Sequence, residues 1–256
     1  MSVTVQAIGG PTAVVVYAGL RFLTDPTFDP PHETPVGRVK YTGPVVTADD
    51  VEPIDAVLLS HDHHHDNLDD AGRAFLPRAA RVFTTRDGAA RLANGAVGLA
   101  PFETADLTAP DGRSVRITAT PAEHGPSEIV AENGPVIGFV LQADELPALY
   151  VSGDNASVDV VKAIAARLGT IPATILFTGA ASVPDIAGGA PLTLTADRAV
   201  AATLALGART VIPVHHDGWS HYSEDADDLR RAFSAAGLAE RLLVPELGAT
   251  LTVAGS

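Results

Sequence analysis

The sequence predicts a layered α/β fold, with two sheets packed face to face and helices outside them. Three observations point there. Each half of the chain is a run of short apolar strands followed by segments of helical period. No low-complexity tract or linker divides the 256 residues, which suffice to bury a full core, so 1–256 is expected to be a single domain. Histidines and aspartates recur at the exits of the strands, where a rigid scaffold can gather side chains from distant parts of the chain.

The elements follow in order. Val3–Ile8, Thr12–Tyr17 and Arg21–Thr24 are separated by Gly9-Gly10-Pro11 and Ala18-Gly19-Leu20, the spacing of an antiparallel meander with tight turns. Asp25–Pro53, rich in Pro, Gly and Thr, is expected to be a long loop with little regular structure. Asp55–Leu59 is apolar and β-branched enough for a buried strand. A helix over Leu68–Phe75, a strand over Arg81–Thr85 and a short helix over Arg86–Leu92 come next. Ser114–Ala122, Val136–Ala143 and Ala148–Ser152 are strand-like, and Val158, Val161, Ile164 and Leu168 give Val158–Leu168 helical spacing. Ala173–Phe177 is a further strand, and Thr195 is a fitting cap for a helix over Ala196–Leu206. Thr210–Val214 as strand, Asp225–Ala236 as amphipathic helix, and Leu242–Val244 with Thr250–Val253 as strands complete the chain.

Composition excludes several classes. With 46% hydrophobic and 19% charged residues the chain is not of the disordered type. It has no cysteine, so disulfides, thiolate metal sites and cysteine nucleophiles are ruled out. The formal charge is −14 and the 17 Lys and Arg are scattered singly, which disfavours nucleic acid and anionic membranes as partners and serves solubility. No apolar run nears the roughly 18 residues of a membrane span, and Met1-Ser2-Val3-Thr4-Val5 lacks the features of a secretory leader, so a cytoplasmic protein is expected. Nothing resembles a glycine-rich phosphate loop, and oligomeric state has no signature.

Four of the nine histidines lie in Ser60-His61-Asp62-His63-His64-His65-Asp66-Asn67. Imidazoles and carboxylates so packed would repel or titrate unless a cation sits among them. A divalent metal meets that need, and these donors suit Zn²⁺, Mn²⁺ or Fe²⁺. A period of two places His61, His63 and His65 on one side of an extended chain. Against a merely solvated histidine-rich loop stand His124, Asp154 and His215, each at the exit of an expected strand.

In that order and context the chain resembles the metallo-β-lactamase-fold hydrolases nearly end to end. In that family an apolar strand delivers His-x-His-x-Asp-His, followed by a third His, a bridging Asp after a Gly, and a last His. Ser60-His61-Asp62-His63, Glu123-His124-Gly125, Ser152-Gly153-Asp154 and Pro213-Val214-His215 match it. Leu23-Thr24-Asp25-Pro26 resembles the branch with ascorbate-6-phosphate lactonase and the N-acyl-phosphatidylethanolamine phospholipase D type. The resemblance implies a four-layer αβ/βα sandwich with metals at one edge between the sheets.

The motif departs from the family's spacing, with His65 and Asp66 where Asp and His are due. One inserted residue restores order, putting Asp66 in the aspartate place and Asn67 in that of the second histidine. The resemblance then implies a first ion on His61, His63 and His124, and a second on Asp66, Asn67, His215 and bridging Asp154. An amide oxygen is a weaker donor than imidazole, so His64 or His65 is the alternative to Asn67. Zn²⁺, as one or two ions, is expected first, with Mn²⁺ or Fe²⁺ next. Asp25, Asp62 and Glu123 are candidates to accept the second ring N–H of a ligating histidine. His216, Trp219, His221 and Tyr222 are candidates for a pocket wall, and His32 could reach over the metals from the long loop.

The implied activity is hydrolysis of a small ester, lactone or amide by a metal-bound hydroxide, with Asp66 as the catalytic residue that orients it or moves its proton. The alternatives are a phosphodiesterase or phospholipase-like enzyme, with Arg38 or Lys40 supplying cations, and a metal-binding module without turnover. A small-molecule substrate is expected of the enzyme readings.

Overall fold

The computed structural model describes residues 3–93, 95–129 and 133–253. Met1 and Ser2, which open the stretch read for a leader, lie outside them. Strands β1 (Val3–Gly9), β2 (Thr12–Tyr17) and β3 (Leu20–Thr24) form the expected meander. The loop after β3 carries a small hairpin, β4 (His32–Glu33) and β5 (Val39–Lys40). Strands β6 (Ala56–Leu58), β7 (Val82–Thr85) and β8 (Val97–Leu99) then add in parallel to β3. Helices α1 (Asp70–Phe75) and α2 (Arg86–Leu92) connect them.

The second sheet begins with β9 (Thr104–Thr108), β10 (Ser114–Pro121), β11 (Ile137–Gln142) and β12 (Leu149–Val151), paired antiparallel. Strands β13 (Ala173–Phe177) and β14 (Thr210–Val214) extend it in parallel, joined through α3 (Val158–Leu168) and α4 (Ala196–Leu206). After α5 (Ala226–Ala235), β15 (Thr250–Val253) returns to pair with β1. The result is a seven-stranded sheet, β15-β1-β2-β3-β6-β7-β8, and a six-stranded sheet, β14-β13-β12-β11-β10-β9.

Side-chain alternation assigns the layers. Val5, Val15, Phe22 and Leu58 of the first sheet meet Ile117, Phe139, Ile175 and Ile212 of the second in one buried cluster. Their strand neighbours face outward. Val14, Leu23 and Val57 pack on Leu68 and Phe75, while Val140, Tyr150, Leu176 and Val211 pack on Val161, Ile164, Ala199, Leu229 and Phe233 of α3, α4 and α5. Each such aliphatic or aromatic burial contributes about 1.5–3 kcal/mol. The layered α/β fold expected from the sequence is the one observed. Among the described residues no helix is long and apolar enough to cross a membrane.

Three local expectations fail for physical reasons. Helix α1 starts at Asp70 rather than Leu68, because the Asp69 side chain accepts the Gly72 N–H at 2.8 Å and caps it. Gly72 is required there, since a Cβ would lie 1.8 Å from the Pro26 carbonyl oxygen. Strands β8 and β9 were not expected; β9 is a sheet-edge strand whose only inward pair is Ala105 and Leu107. Leu242–Val244 forms no strand. Leu242 makes one isolated bridge to Val211, and Pro245, which has no N–H to donate, follows.

Candidate metal centre

Four loops converge at one edge, where β6 of the first sheet and β10, β12 and β14 of the second all end. The loop after β6 brings His61, His64 and Asp66; those after β10, β12 and β14 bring His124, Asp154 and His215. Main-chain hydrogen bonds tie the loops together. Ile137 N–H donates to Ser60 O at 3.1 Å, Ala156 N–H to Glu123 O at 2.7 Å, and His215 N–H to Gly10 O at 2.7 Å. Gly153, with φ +57°, sits where the sheets approach, and a Cβ there would lie 2.6 Å from Ile137 O and 2.8 Å from the Ser60 Cβ. His215 itself has φ +60°, an uncommon backbone for a residue with a Cβ and one that clusters at functional sites.

Two donor sets meet here. His61, His64, His124 and Asp154 have ligand atoms within 4.8 Å of one another, and so do Asp66, Asp154 and His215. Asp154 belongs to both. Asp66 Oδ1, Asp154 Oδ2 and both ring nitrogens of His215 are buried without a hydrogen-bond partner. Unpaired buried polar atoms are costly, and these converge, so the donor set fits divalent cations bound by imidazole and carboxylate.

The surroundings prepare the donors. Ser60 N–H and Oγ–H donate to Asp25 at 2.6 and 2.5 Å, and Ser60 Oγ lies 2.9 Å from His61 Nδ1. With its own proton on the Asp25 carboxylate, Ser60 can only accept from Nδ1–H, which leaves the His61 Nε2 lone pair aimed inward. The Leu192 carbonyl oxygen, 2.9 Å from His124 Nδ1, fixes that ring in the same way. Burial lowers the pKa of His61, His64 and His124, so all three are neutral and able to donate lone pairs. Burial alone would also lower His215, but the Asp154 and Asp66 carboxylates outweigh it and push it up to about 9, so a cation bound between these carboxylates would have to displace that proton for His215 to act as a ligand. Burial would raise Asp66; charge and hydrogen bonds from His221 and His215 overcome that and hold its carboxyl well below the usual range. Asp25, where burial beats its hydrogen bonds, is raised to about 7.

A family model described as β-lactamase superfamily domain matches residues 20–216. This chain belongs to that superfamily. Its relatives include the UPF0173 protein YddR of Bacillus subtilis, 24% identical over 97% of this chain and 99% of that one. A UPF0173 metal-dependent hydrolase of Pyrococcus abyssi is 26% identical over 73% of this chain and 77% of its own length. The crystal structure of an isothiocyanate hydrolase from Delia radicum gut bacteria shares the fold, with a TM-score of 0.82, 22% identity, and coverage of 99% and 100% of the two chains.

Within this superfamily fold, the residues singled out in the sequence take distinct places. The ring of His63, expected in the first set, lies 4.7 Å from that of His61 and tilted to it, but its Nε2 turns away to the Asn133 carbonyl oxygen at 2.6 Å. His64 takes the place beside His61 instead, with Nδ1 2.9 Å from His61 Nε2. Asn67, expected to offer an oxygen, gives its amide N–H groups to Asp25 and to Asp154 at 3.0 and 3.1 Å, while its Oδ1 is buried without a partner. Arg91 grips the Asp62 carboxylate, with Nε at 2.9 Å, and Asp62 Oδ1 lies 3.9 Å from His63 Nδ1. Glu123 offers its main chain to Asn155 and Ala156.

A cleft of about 720 Å³ opens beside the donors, lined by His64, His65, Asp66, Trp219 and His221 among others. His221 Nε2 lies 2.8 Å from Asp66 Oδ2, and the Tyr222 ring 4.4 Å from that of His215. His32 reaches the far side of Trp219, its ring 6.1 Å away. His216 turns into a separate depression with Pro213 and Asp217. Lys40 is buried and paired with Asp69 at 2.9 Å, so it cannot serve a ligand. Ser60, the Leu192 carbonyl and the cleft wall Ser182–Ile186 were not singled out in the sequence. A backbone carbonyl leaves no residue signal, and Ser60 was visible only as the residue before His61.

Proposed function

We propose that this chain is a metal-dependent hydrolase of a small ester, lactone or amide. In this reading His61, His64, His124 and Asp154 hold one ion, and Asp66, Asp154 and His215 a second. The observation that carries it is the pair of donor sets sharing Asp154 beside a cleft whose volume suits a small molecule. Bound divalent cations supply Lewis acidity there, bringing the pKa of water to about 7. Zinc is the first candidate, with manganese or iron next. Asp66, ionised at neutral pH, accepts a proton or a water hydrogen bond at its unpaired Oδ1, while His221 holds the other oxygen and fixes the carboxylate plane. Val183, Pro184, Ile186 and Trp219 supply the apolar wall that takes the substrate's carbon skeleton. A single functional unit across 1–256 and a cytoplasmic setting belong to the same proposal.

The test is elemental analysis of purified protein, with turnover measured on nitrophenyl esters, lactones, phenethyl isothiocyanate and bis-nitrophenyl phosphate. The isothiocyanate is included because the hydrolase of that class shares the fold. Metal-dependent turnover of an acyl substrate, lost in Asp66→Ala, is expected. Metal-loaded protein inert on every substrate would replace this reading with a binding module.

A further inference from the structure

We propose that Arg38 forms an oxyanion-binding subsite in the cleft, selecting substrates that carry a carboxylate or phosphate beside the bond to be cleaved. This rests on the hydrolase reading above and specifies its substrate class. Among the described residues Arg38 is the one Lys or Arg on the lining of the main cleft, and also on that of the narrow recess reaching His64, Asp66 and His124. Among the described residues no carboxylate lies within ion-pair distance of its guanidinium, in a chain with 31 acidic and 17 basic residues. Other arginines also lack a carboxylate partner, but Arg38 alone among them stands on the lining beside the donors, where its planar fork matches carboxylate and phosphate oxygens.

The arm is mounted rather than loose. Thr34 N–H donates to Arg38 O at 2.8 Å and Arg38 N–H to Thr34 Oγ1 at 3.0 Å, closing the turn between β4 and β5. Val39 N–H donates to Ser220 Oγ at 3.0 Å, Ser220 N–H to Val39 O at 2.9 Å, and Tyr41 N–H to Gly218 O at 2.7 Å. These bonds join the Arg38 hairpin to the loop bearing Trp219 and His221. The apolar side chains of Val36, Val183 and Ile186 share the lining, so the subsite takes an anion attached to a carbon skeleton.

The experiment compares wild type, Arg38→Ala and Arg38→Lys as metal-loaded enzymes. Turnover of 4-nitrophenyl hydrogen succinate, which carries a carboxylate, is set against that of neutral 4-nitrophenyl butyrate. Calorimetric titration with monomethyl succinate and with phenyl phosphate reads binding without turnover and separates the two oxyanions. In Arg38→Ala the charged-to-neutral ratio of kcat/KM is expected to fall on the order of 10- to 100-fold, through KM, with affinity for the better-bound anion falling alike and Arg38→Lys recovering part. An unchanged ratio, anion affinities untouched by the substitution, or wild type binding neither anion would overturn the proposal. If neither ester turns over, the titrations alone decide Arg38, and the wider substrate panel decides the hydrolase reading.

Discussion

Burial holds the His64 imidazole neutral, with its pKa lowered from 6.5 to about 3. The unfolded chain therefore binds a proton that the folded one refuses between those values, and stability is lost as pH falls through that window. Urea melts of chelator-treated protein should show it, with a shallower pH dependence in His64→Asn; an equal slope would mean His64 is solvated. His64→Ala should also cut metal affinity by more than the about 10–100-fold typical of losing a supporting group, while His63→Ala keeps the wild-type metal content. Elemental analysis after dialysis checks both. The choice between these neighbours was hidden in the sequence because a period of two holds only while the chain stays extended. Strand β6 ends at Leu58, and Asn67 and Leu68 N–H both donate to His64 O, so a helical turn has begun inside the cluster. His61, His124, Asp154 and His215 were legible because each stands within three residues of the end of a strand.

Helix α1 has six residues, too few to persist alone, and Asp69 anchors it. Its buried carboxylate accepts from Gly72, Phe28 and Asp29 N–H at 2.8, 2.9 and 2.7 Å and from Lys40 Nζ at 2.9 Å. Asp69→Ala strips the cap and leaves Lys40 charged and buried, so a loss of about 3–5 kcal/mol is expected in denaturant melts. Lys40→Met should cost less, because three N–H donors still satisfy Asp69. Equal losses would show that the ion pair, not the N–H cradle, anchors the helix. Elements with a full apolar period, such as Val158–Leu168 and Ala173–Phe177, were legible to the residue. Strand β9 was not, although Thr104-Ala105-Asp106-Leu107-Thr108 alternates: three polar side chains face out and only two small-to-medium apolar ones face in.

Across the whole molecule, the first sheet contributes His61, His64 and Asp66 to the edge and the second contributes His124, Asp154 and His215. Cations bound there, as proposed, would join the two sheets beyond the apolar core between them. With ligand at about a thousand times Kd, binding of this kind adds about 4 kcal/mol, so stripping the metal should lower Tm on the order of 10 °C. Calorimetry with and without chelator measures it, and an unchanged Tm would place the ions outside the fold's stability. The layered class itself was legible because strand and helix periods alternate through both halves, whereas the pairing of β15 with β1 depends on ends far apart in sequence.

Anomalous X-ray scattering from crystals grown without added metal tests the central claim most directly. Two peaks are predicted at this edge, one among His61, His64 and His124 and one beside Asp66 and His215, with Asp154 reaching both. An edge without scatterers, or a single ion held by His63 with His64 turned away, would contradict it.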